Sequence, residues 1–248
     1  MEIISSKSNE KIANAKKLFD KKHRDKTGLF LVETIKTIKE AISAGLTPKT
    51  IFVTEKKSAN IPSQFDKQKV IVSDEVLKHI SSVVSPDGIV AIFEKPKQEK
   101  KYIGGNFLIL DSLQNPDNLG AILRTAAATN FKQIYLINSV DQYNSKTIRA
   151  SMGNQFKLNI IEIDYNDIKT MFLNAQIYTM DMNGKNLFDI QKFDKNVGFV
   201  IGNEGNGISE QMKNIVTNTL KIPMENNVES LNASISASVT MYYVFSKK

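Results

Sequence analysis

The sequence predicts an α/β protein: a mostly parallel sheet covered by helices on both faces, preceded by a smaller α/β domain. Three observations carry this reading. Short apolar runs of strand length alternate with stretches whose apolar residues recur at helical spacing. A polar, charged break runs from Glu94 to Lys101, with Pro96 inside it and Gly104-Gly105 behind it. Charge divides at the same place: residues 1–100 hold 19 Lys/Arg against 13 Asp/Glu, and residues 101–248 hold 14 against 13. Domains are therefore expected at 1–98 and 106–248.

In chain order, residues 9–22 read as a helix, with Ile12, Ala15, Leu18 and Phe19 on one face and lysines on the other. Leu29–Val32 follows Gly28 as a short strand. Thr34–Ala44 is a helix closed by Gly45 and Pro48. Thr50–Val53 reads as a strand, Asp74–Val84 as a helix and Gly88–Phe93 as a strand. Beyond the break, strands are expected at Phe107–Leu110, Ile134–Ile137, Leu158–Ile163, Ile177–Met180 and Val197–Ile201, with helices at Leu119–Thr129, Tyr165–Ala175 and Asn232–Phe245. Apolar strands joined by helices belong in a parallel sheet buried on both faces.

Composition narrows the function classes. The 248 residues are 41% hydrophobic and 24% charged, as in ordinary folded domains, which excludes wholesale disorder. No apolar run approaches the ~18 residues of a membrane span. Met1–Lys7 lacks the basic head and apolar core of a secretory signal, so a cytoplasmic setting is expected. Without cysteine there are no disulfides, thiolate metal sites or cysteine nucleophiles. With His23 and His79 the only histidines, a histidine-rich zinc site is excluded. The net charge of +7, concentrated in the first part, fits a module that grips a polyanion or a lysine-rich solvated surface.

Ligands of parallel sheets bind beyond the carboxyl ends of the strands. Three polar stretches are expected there: Asp111–Arg124, Gly202–Gly207, and Ile222-Pro223-Met224 continuing to Asn232. The glycines at 202, 205 and 207 do not follow GxGxxG, and GxxxxGK[ST] is absent, so neither a dinucleotide nor a P-loop site is supported. Arg124 can aim a guanidinium at a phosphate or stand on a helix surface. Asn118, Ser230 and Asn232 can serve a site or cap a helix. Glu204 can be a buried, partnered carboxylate or a solvated turn residue.

These stretches resemble a known family. Asn118–Arg124 (NLGAILR) resembles the first motif of the SpoU/TrmH family of RNA 2′-O-ribose methyltransferases. Ile201–Ser209 (IGNEGNGIS) resembles the second, and Ile222-Pro223-Met224 with Glu229–Ser234 (ESLNAS) the third, in matching order and spacing. Lys146–Gly153 (KTIRASMG) resembles a segment between the first two. Phe30–Glu33 resembles the hallmark of the family's N-terminal substrate-binding domain. The chain departs from the pattern at Thr34 and at Asn226-Asn227, where glycine is usual, and at Ser236 and Ser238, where alanine or valine is common.

The resemblance implies a SPOUT fold whose C-terminal segment threads a preceding loop as a trefoil knot. It implies S-adenosylmethionine as methyl donor, a homodimer and no metal. On this chain the cofactor would meet Met180, Ile201, Gly202, Gly207, Ile222, Met224 and Leu231. Asn118, Arg124, Glu204, Ser230 and Asn232 would form the catalytic cluster. Lys17, Lys21, Arg24, Phe30, Glu33 and Arg149 would contact RNA. Ser230 and Asn232 are expected to hold the 2′-hydroxyl and Glu204 to orient Arg124 or Asn232. Arg124, whose guanidinium stays protonated, is expected to bind phosphate and the emerging alkoxide rather than act as a base. The implied substrate is structured RNA, ribosomal before transfer RNA. The other readings are a tRNA methyltransferase or a non-catalytic RNA-binding ribosome-assembly factor. Deleting residues 1–98 is expected to weaken RNA binding far more than cofactor binding.

Overall fold

The computed structural model describes residues 3–226 and 228–247. Asn227, and the Met1 and Glu2 of the N-terminal reading, lie outside the described residues. The chain divides into two compact units, Met1–Lys97 with Tyr143–Phe156, and Gln98–Gln142 with Lys157–Lys248. The segment 143–156, which the sequence places with the second part, belongs to the first. Among the described residues no helix is long and apolar enough to cross a membrane.

The first unit contains helices α1 (Glu10–Lys17) and α2 (Lys21–Thr27), strand β1 (Leu29–Glu33), helix α3 (Ile35–Ser43), strands β2 (Pro48–Thr54) and β3 (Lys69–Val72), helix α4 (Asp74–His79) and strand β4 (Ile89–Glu94). Its four strands lie in the order β1-β4-β2-β3, with only β2 and β3 parallel. Side chains alternate across the sheet. Phe30 and Val32 face one core with Ile38 of α3, while Leu31 faces another with Ile12 of α1 and Leu77 of α4.

The expected helix 9–22 is two helices. Asp20 caps α2 by accepting from the Lys22 N–H at 3.2 Å. The end of α1 is closed by Arg24, whose Nη1 donates to the carbonyls of Leu18 and Phe19, each at 2.8 Å. Helix-end carbonyls need donors, and meeting them buries Arg24 to 3% exposure. Arg24 is therefore a structural residue and not the RNA contact expected from sequence. Phe30 is likewise corrected: it is fully buried, stacked at 6.0 Å on Phe93 and 4.7 Å from Tyr143. Helix α4 stops at His79, short of the expected Val84. Glu33 takes the following loop by accepting from Ser81 Oγ at 2.5 Å, Ser82 N at 3.1 Å and Ser82 Oγ at 2.6 Å.

Thr34, where the family carries glycine, has φ +71° and ψ +141°. A β-branched residue is a steric outlier there. Thr34→Gly is expected to stabilise the protein: roughly 1–2 kcal/mol of strain is relieved, against up to ~1 kcal/mol of added chain entropy. Glycine caps α3 almost as well. Calorimetry should show Tm rising by about 2–4 °C, the shift ~1 kcal/mol gives at this size. A lower Tm would remove the strain argument.

The second unit contains β5 (Phe107–Asp111), α5 (Pro116–Ala128), β6 (Gln133–Ile137), β7 (Asn159–Glu162), α7 (Tyr165–Met171), β8 (Gln176–Asn186), β9 (Val197–Ile201), α8 (Glu210–Lys213), β10 (Thr219–Lys221) and α9 (Ala233–Ser246). Helix α6 (Ser145–Ser151), between β6 and β7 in sequence, belongs to the first unit. The six strands lie in the order β10-β8-β9-β5-β6-β7, all parallel. Leu108 and Leu110 of β5 meet α5 and α9 on one face, and Phe107 and Ile109 meet α7 and α8 on the other. The three-layer α/β architecture is thus as expected, with a sixth strand added. β8 continues past Met180 to Asn186 because β10 pairs with its extension: Leu220 lies opposite Lys185. Gly184 permits this, since a Cβ there would sit 2.5–2.6 Å from the Leu220 backbone.

Candidate active site

Strand order reverses between β5 and β9, and ligand crevices of open parallel sheets form beyond such a point. β5 ends at Asp111 and β9 at Ile201. The loop after β9 is self-closed: Asn203 and Gly207 exchange backbone hydrogen bonds of 2.8 and 3.0 Å. Asn203 Oδ1 also accepts from the N–H groups of Gly205 and Asn206. Gly202 is forced by this closure, because a Cβ would lie 2.3 Å from the carbonyl carbon and oxygen of Gly207.

Three connections fix this loop to the one after β5. Asn203 Nδ2 donates to the Ser112 carbonyl at 2.8 Å. Ser209 N–H donates to Asp111 Oδ2 at 2.9 Å. Glu204 accepts from Gln114 N at 3.2 Å, Asn115 N at 3.0 Å and Asn118 Nδ2 at 3.0 Å. Asp111 is fully buried and also accepts from the Tyr165 hydroxyl at 2.7 Å. Partial burial alone would raise the Glu204 carboxyl. The hydrogen bonds from Asn118 and the backbone N–H groups outweigh it and hold Glu204 below the usual glutamate value.

The network continues to the third stretch. Asn118 Oδ1 accepts from Asn232 Nδ2 at 3.0 Å, and Asn232 Oδ1 accepts from Ser234 N at 2.8 Å, capping α9. Both amide orientations are determined. Glu204 can only accept, so Asn118 turns its NH₂ to it; the α9 terminus can only donate, so Asn232 turns its oxygen there. Asn232 is thus both a helix cap and a link in this network. Asn118 is a buried link, whereas the Asn115 side chain caps α5. Glu204 orients Asn118 and, through it, Asn232. Among the described residues it has no hydrogen bond or ion pair with Arg124, which stands exposed on α5.

A cavity of about 420 Å³ opens beside this relay. All seven residues named from sequence for the cofactor line it, as do Glu204 and Ser230. Asn118, Arg124 and Asn232 do not. The sequence reading missed Asp181, Asn183 and Lys221, which also line it, because it ended β8 at Met180. It also missed the anchors Asp111, Asn203, Tyr165 and Ser209. Asp111, the first charge after an apolar strand run, was the available signal for the first of them.

The cavity suits S-adenosylmethionine in size and lining. Ile201, Ile222 and Leu231 supply apolar surface, and Asp181, Glu204 and Ser230 supply polar edges. Among the described residues no group of three His, Asp or Glu side chains could hold a metal ion. Of the residues assigned to RNA, Lys17 and Lys21 are exposed, Lys21 pairing with Asp25 at 2.8 Å. Arg149 is exposed and donates to Ser82 Oγ at 2.8 Å. Glu33 is only 9% exposed and occupied with Ser81 and Ser82, so its role is to hold that loop.

The second unit is thus a three-layer parallel α/β unit with a ligand cavity near its strand reversal, walled by the second and third stretches and by Met180–Asn183, with the first stretch joined to it through Glu204. The sequence profile of the SpoU rRNA methylase family matches residues 105–242, and that of the MRM3-like substrate binding domain matches residues 9–91. The chain belongs to the SpoU rRNA methylase family and is an S-adenosylmethionine-dependent RNA methyltransferase. It is 28% identical to the 23S rRNA (guanosine(2553)-2′-O)-methyltransferase RlmP of Bacillus subtilis, over 98% of this chain and 99% of the relative. It is 30% identical to a Synechocystis protein named as a tRNA/rRNA methyltransferase, over 96% and 92%. The AdoMet-bound rRNA methyltransferase of Sinorhizobium meliloti shares its fold, with a TM-score of 0.88 at 24% identity over 98% of this chain and 97% of that one.

Proposed function

We propose that this chain methylates a ribose 2′-hydroxyl in ribosomal RNA, in the cytoplasm, as a homodimer with a knotted C-terminal segment and with its first unit binding the substrate. One observation carries the reading: the Glu204–Asn118–Asn232 relay joins the three stretches beside a single cavity. S-adenosylmethionine, when bound, supplies an electrophilic methyl carbon on a sulfonium. Ile201, Gly202, Ile222 and Leu231 would hold it. Ser230 is exposed at the cavity wall, where its hydroxyl can donate to or accept from the 2′-hydroxyl. Asn232 is already engaged with Asn118 and α9, so it positions Ser230 rather than gripping the sugar.

Arg124 binds an RNA phosphate and stabilises negative charge on the 2′-oxygen. Arg124→Lys keeps the charge but loses the planar fork, and kcat/KM for RNA should fall about tenfold or more. Turnover near wild type would remove the bidentate role.

For the homodimer, the support is the outward face of α9, where Ile235, Tyr242 and Phe245 are 51%, 53% and 46% exposed. Tyr243 is not part of that face: its hydroxyl donates to the carbonyls of Phe188 and Ile190. For the knot, the support is the close approach of Gly184 to Leu220, with Met180–Asn183 and Lys221–Met224 contributing to one cavity. For ribosomal RNA, it is the family itself and the named activity of the Bacillus relative.

The test is methyl transfer from labelled S-adenosylmethionine to 23S rRNA and tRNA transcripts, with 2′-O-methyl positions mapped by resistance to alkaline hydrolysis. One resistant ribose in 23S rRNA is expected. Transfer to tRNA alone would move the substrate. Tight RNA binding without transfer would leave an assembly factor.

A further inference from the structure

The first unit holds a separate cavity of about 100 Å³. Ile35 and Ile89 give it apolar walls, and Lys57, Asn60 and Asp87 give it polar ones. None of those three polar side chains has a hydrogen bond or ion pair among the described residues. The backbone is shaped to assemble them. Thr34, at φ +71°, turns the chain so that Ile35 opens α3. Gly88, at φ +86°, lets the loop bearing Asp87 close on Lys57; a Cβ there would lie 2.8 Å from Lys57 Cγ and 2.9 Å from Thr54 Oγ1. Glu33 pins the other end of that loop through Ser81 and Ser82.

Two branched aliphatic walls and a rim of ammonium, amide and carboxylate match a planar heterocycle. A base seats over an apolar floor of Ile35 and the buried Ile89, while its edge meets donors on Lys57, an acceptor on Asp87 and both on Asn60. Stacked bases in a duplex cannot present a face and an edge together, whereas bases splayed from loops and bulges can. We infer that this cavity takes one unstacked nucleobase of the RNA substrate and so sets the register of the RNA on the first unit. The inference rests on the function proposed above.

The test uses the full chain and 23S rRNA transcripts carrying 4-thiouridine or 6-thioguanosine, irradiated and mapped by mass spectrometry. Crosslinks are expected on peptides containing Ile35, Lys57–Asn60 or Asp87–Ile89. Lys57→Ala and Asp87→Ala should each raise the Kd for RNA about tenfold. Tm and S-adenosylmethionine affinity by calorimetry should stay unchanged. Crosslinks confined to other peptides, or a Kd within twofold of wild type for both variants, would overturn the cavity's role while leaving the function intact. A wild-type chain that fails to bind ribosomal RNA would overturn both.

Discussion

Glu204→Gln should lower kcat for RNA methylation about 10²-fold, the scale of losing a preorganised polar group in a site, while S-adenosylmethionine affinity changes only a few-fold. The reason is the directionality of the relay. A glutamine has one accepting oxygen where the carboxylate used two, so at least one of Gln114 N, Asn115 N and Asn118 Nδ2 loses its acceptor. The exposed Gln114 and Asn115 N–H groups can turn to water, whereas an unpaired donor on the buried Asn118 would cost about 1–3 kcal/mol. If the new NH₂ faces Asn118, that amide must turn over and oppose the NH₂ of Asn232. Single-turnover kinetics with separate cofactor titration check the split, and near wild-type kcat would take the relay out of the mechanism. The pH dependence has a definite sign. Because the folded state holds Glu204 below its ordinary value of 4.5, its stabilising contribution is present above that value. It is lost only as pH falls through the depressed one. The wild-type acid limb attributable to this group should therefore lie below pH 4.5, and Glu204→Gln should lack it.

Gly202→Ala should be the most damaging single-methyl change in the cavity wall. The added carbon would meet Gly207 C and O at 2.3 Å and Ile208 N at 2.5 Å, all backbone atoms that no rotamer change can move. Overpacking of this kind costs about 1–3 kcal/mol. Here it also breaks the Asn203–Gly207 closure that shapes the cavity. S-adenosylmethionine affinity by calorimetry should fall at least tenfold and Tm should drop. By contrast, Gly205→Ala, whose Cβ comes no closer than 3.7 Å to Asn203 Oδ1, should bind nearly normally. Equal behaviour of the two variants would show that the loop closure does not shape the cavity.

What could be read from the sequence follows from the range of the interactions. The strands of the second unit and the residues lining its cavity were legible because each strand ends in a local polar turn. The β8 extension was not, because Asp181–Asn186 is polar and becomes a strand only through pairing with β10, some 35 residues later. The loop after His79 depends on Glu33, 48 and 49 residues away. Arg24 and Phe30 misled for opposite reasons. A buried arginine defies the usual exposure of charge, yet two helix-end carbonyls draw it in. An aromatic in a substrate-binding unit invites a stacking role, yet Phe30 sits on a strand with protein on both faces.

Because Tyr143–Phe156 leaves the second unit after Gln142 and returns at Lys157, the polypeptide passes between units three times. One protease nick within 94–101 would therefore leave the N-terminal fragment held only by noncovalent packing on the 143–156 excursion, which stays with the C-terminal fragment. Removing residues 1–98 would not be a clean excision, since Tyr143, Ile148 and Phe156 would lose the apolar neighbours that now bury them. Any amputation meant to isolate the catalytic half must also replace that excursion with a short bridge, or the stump will aggregate and mimic a loss of RNA affinity.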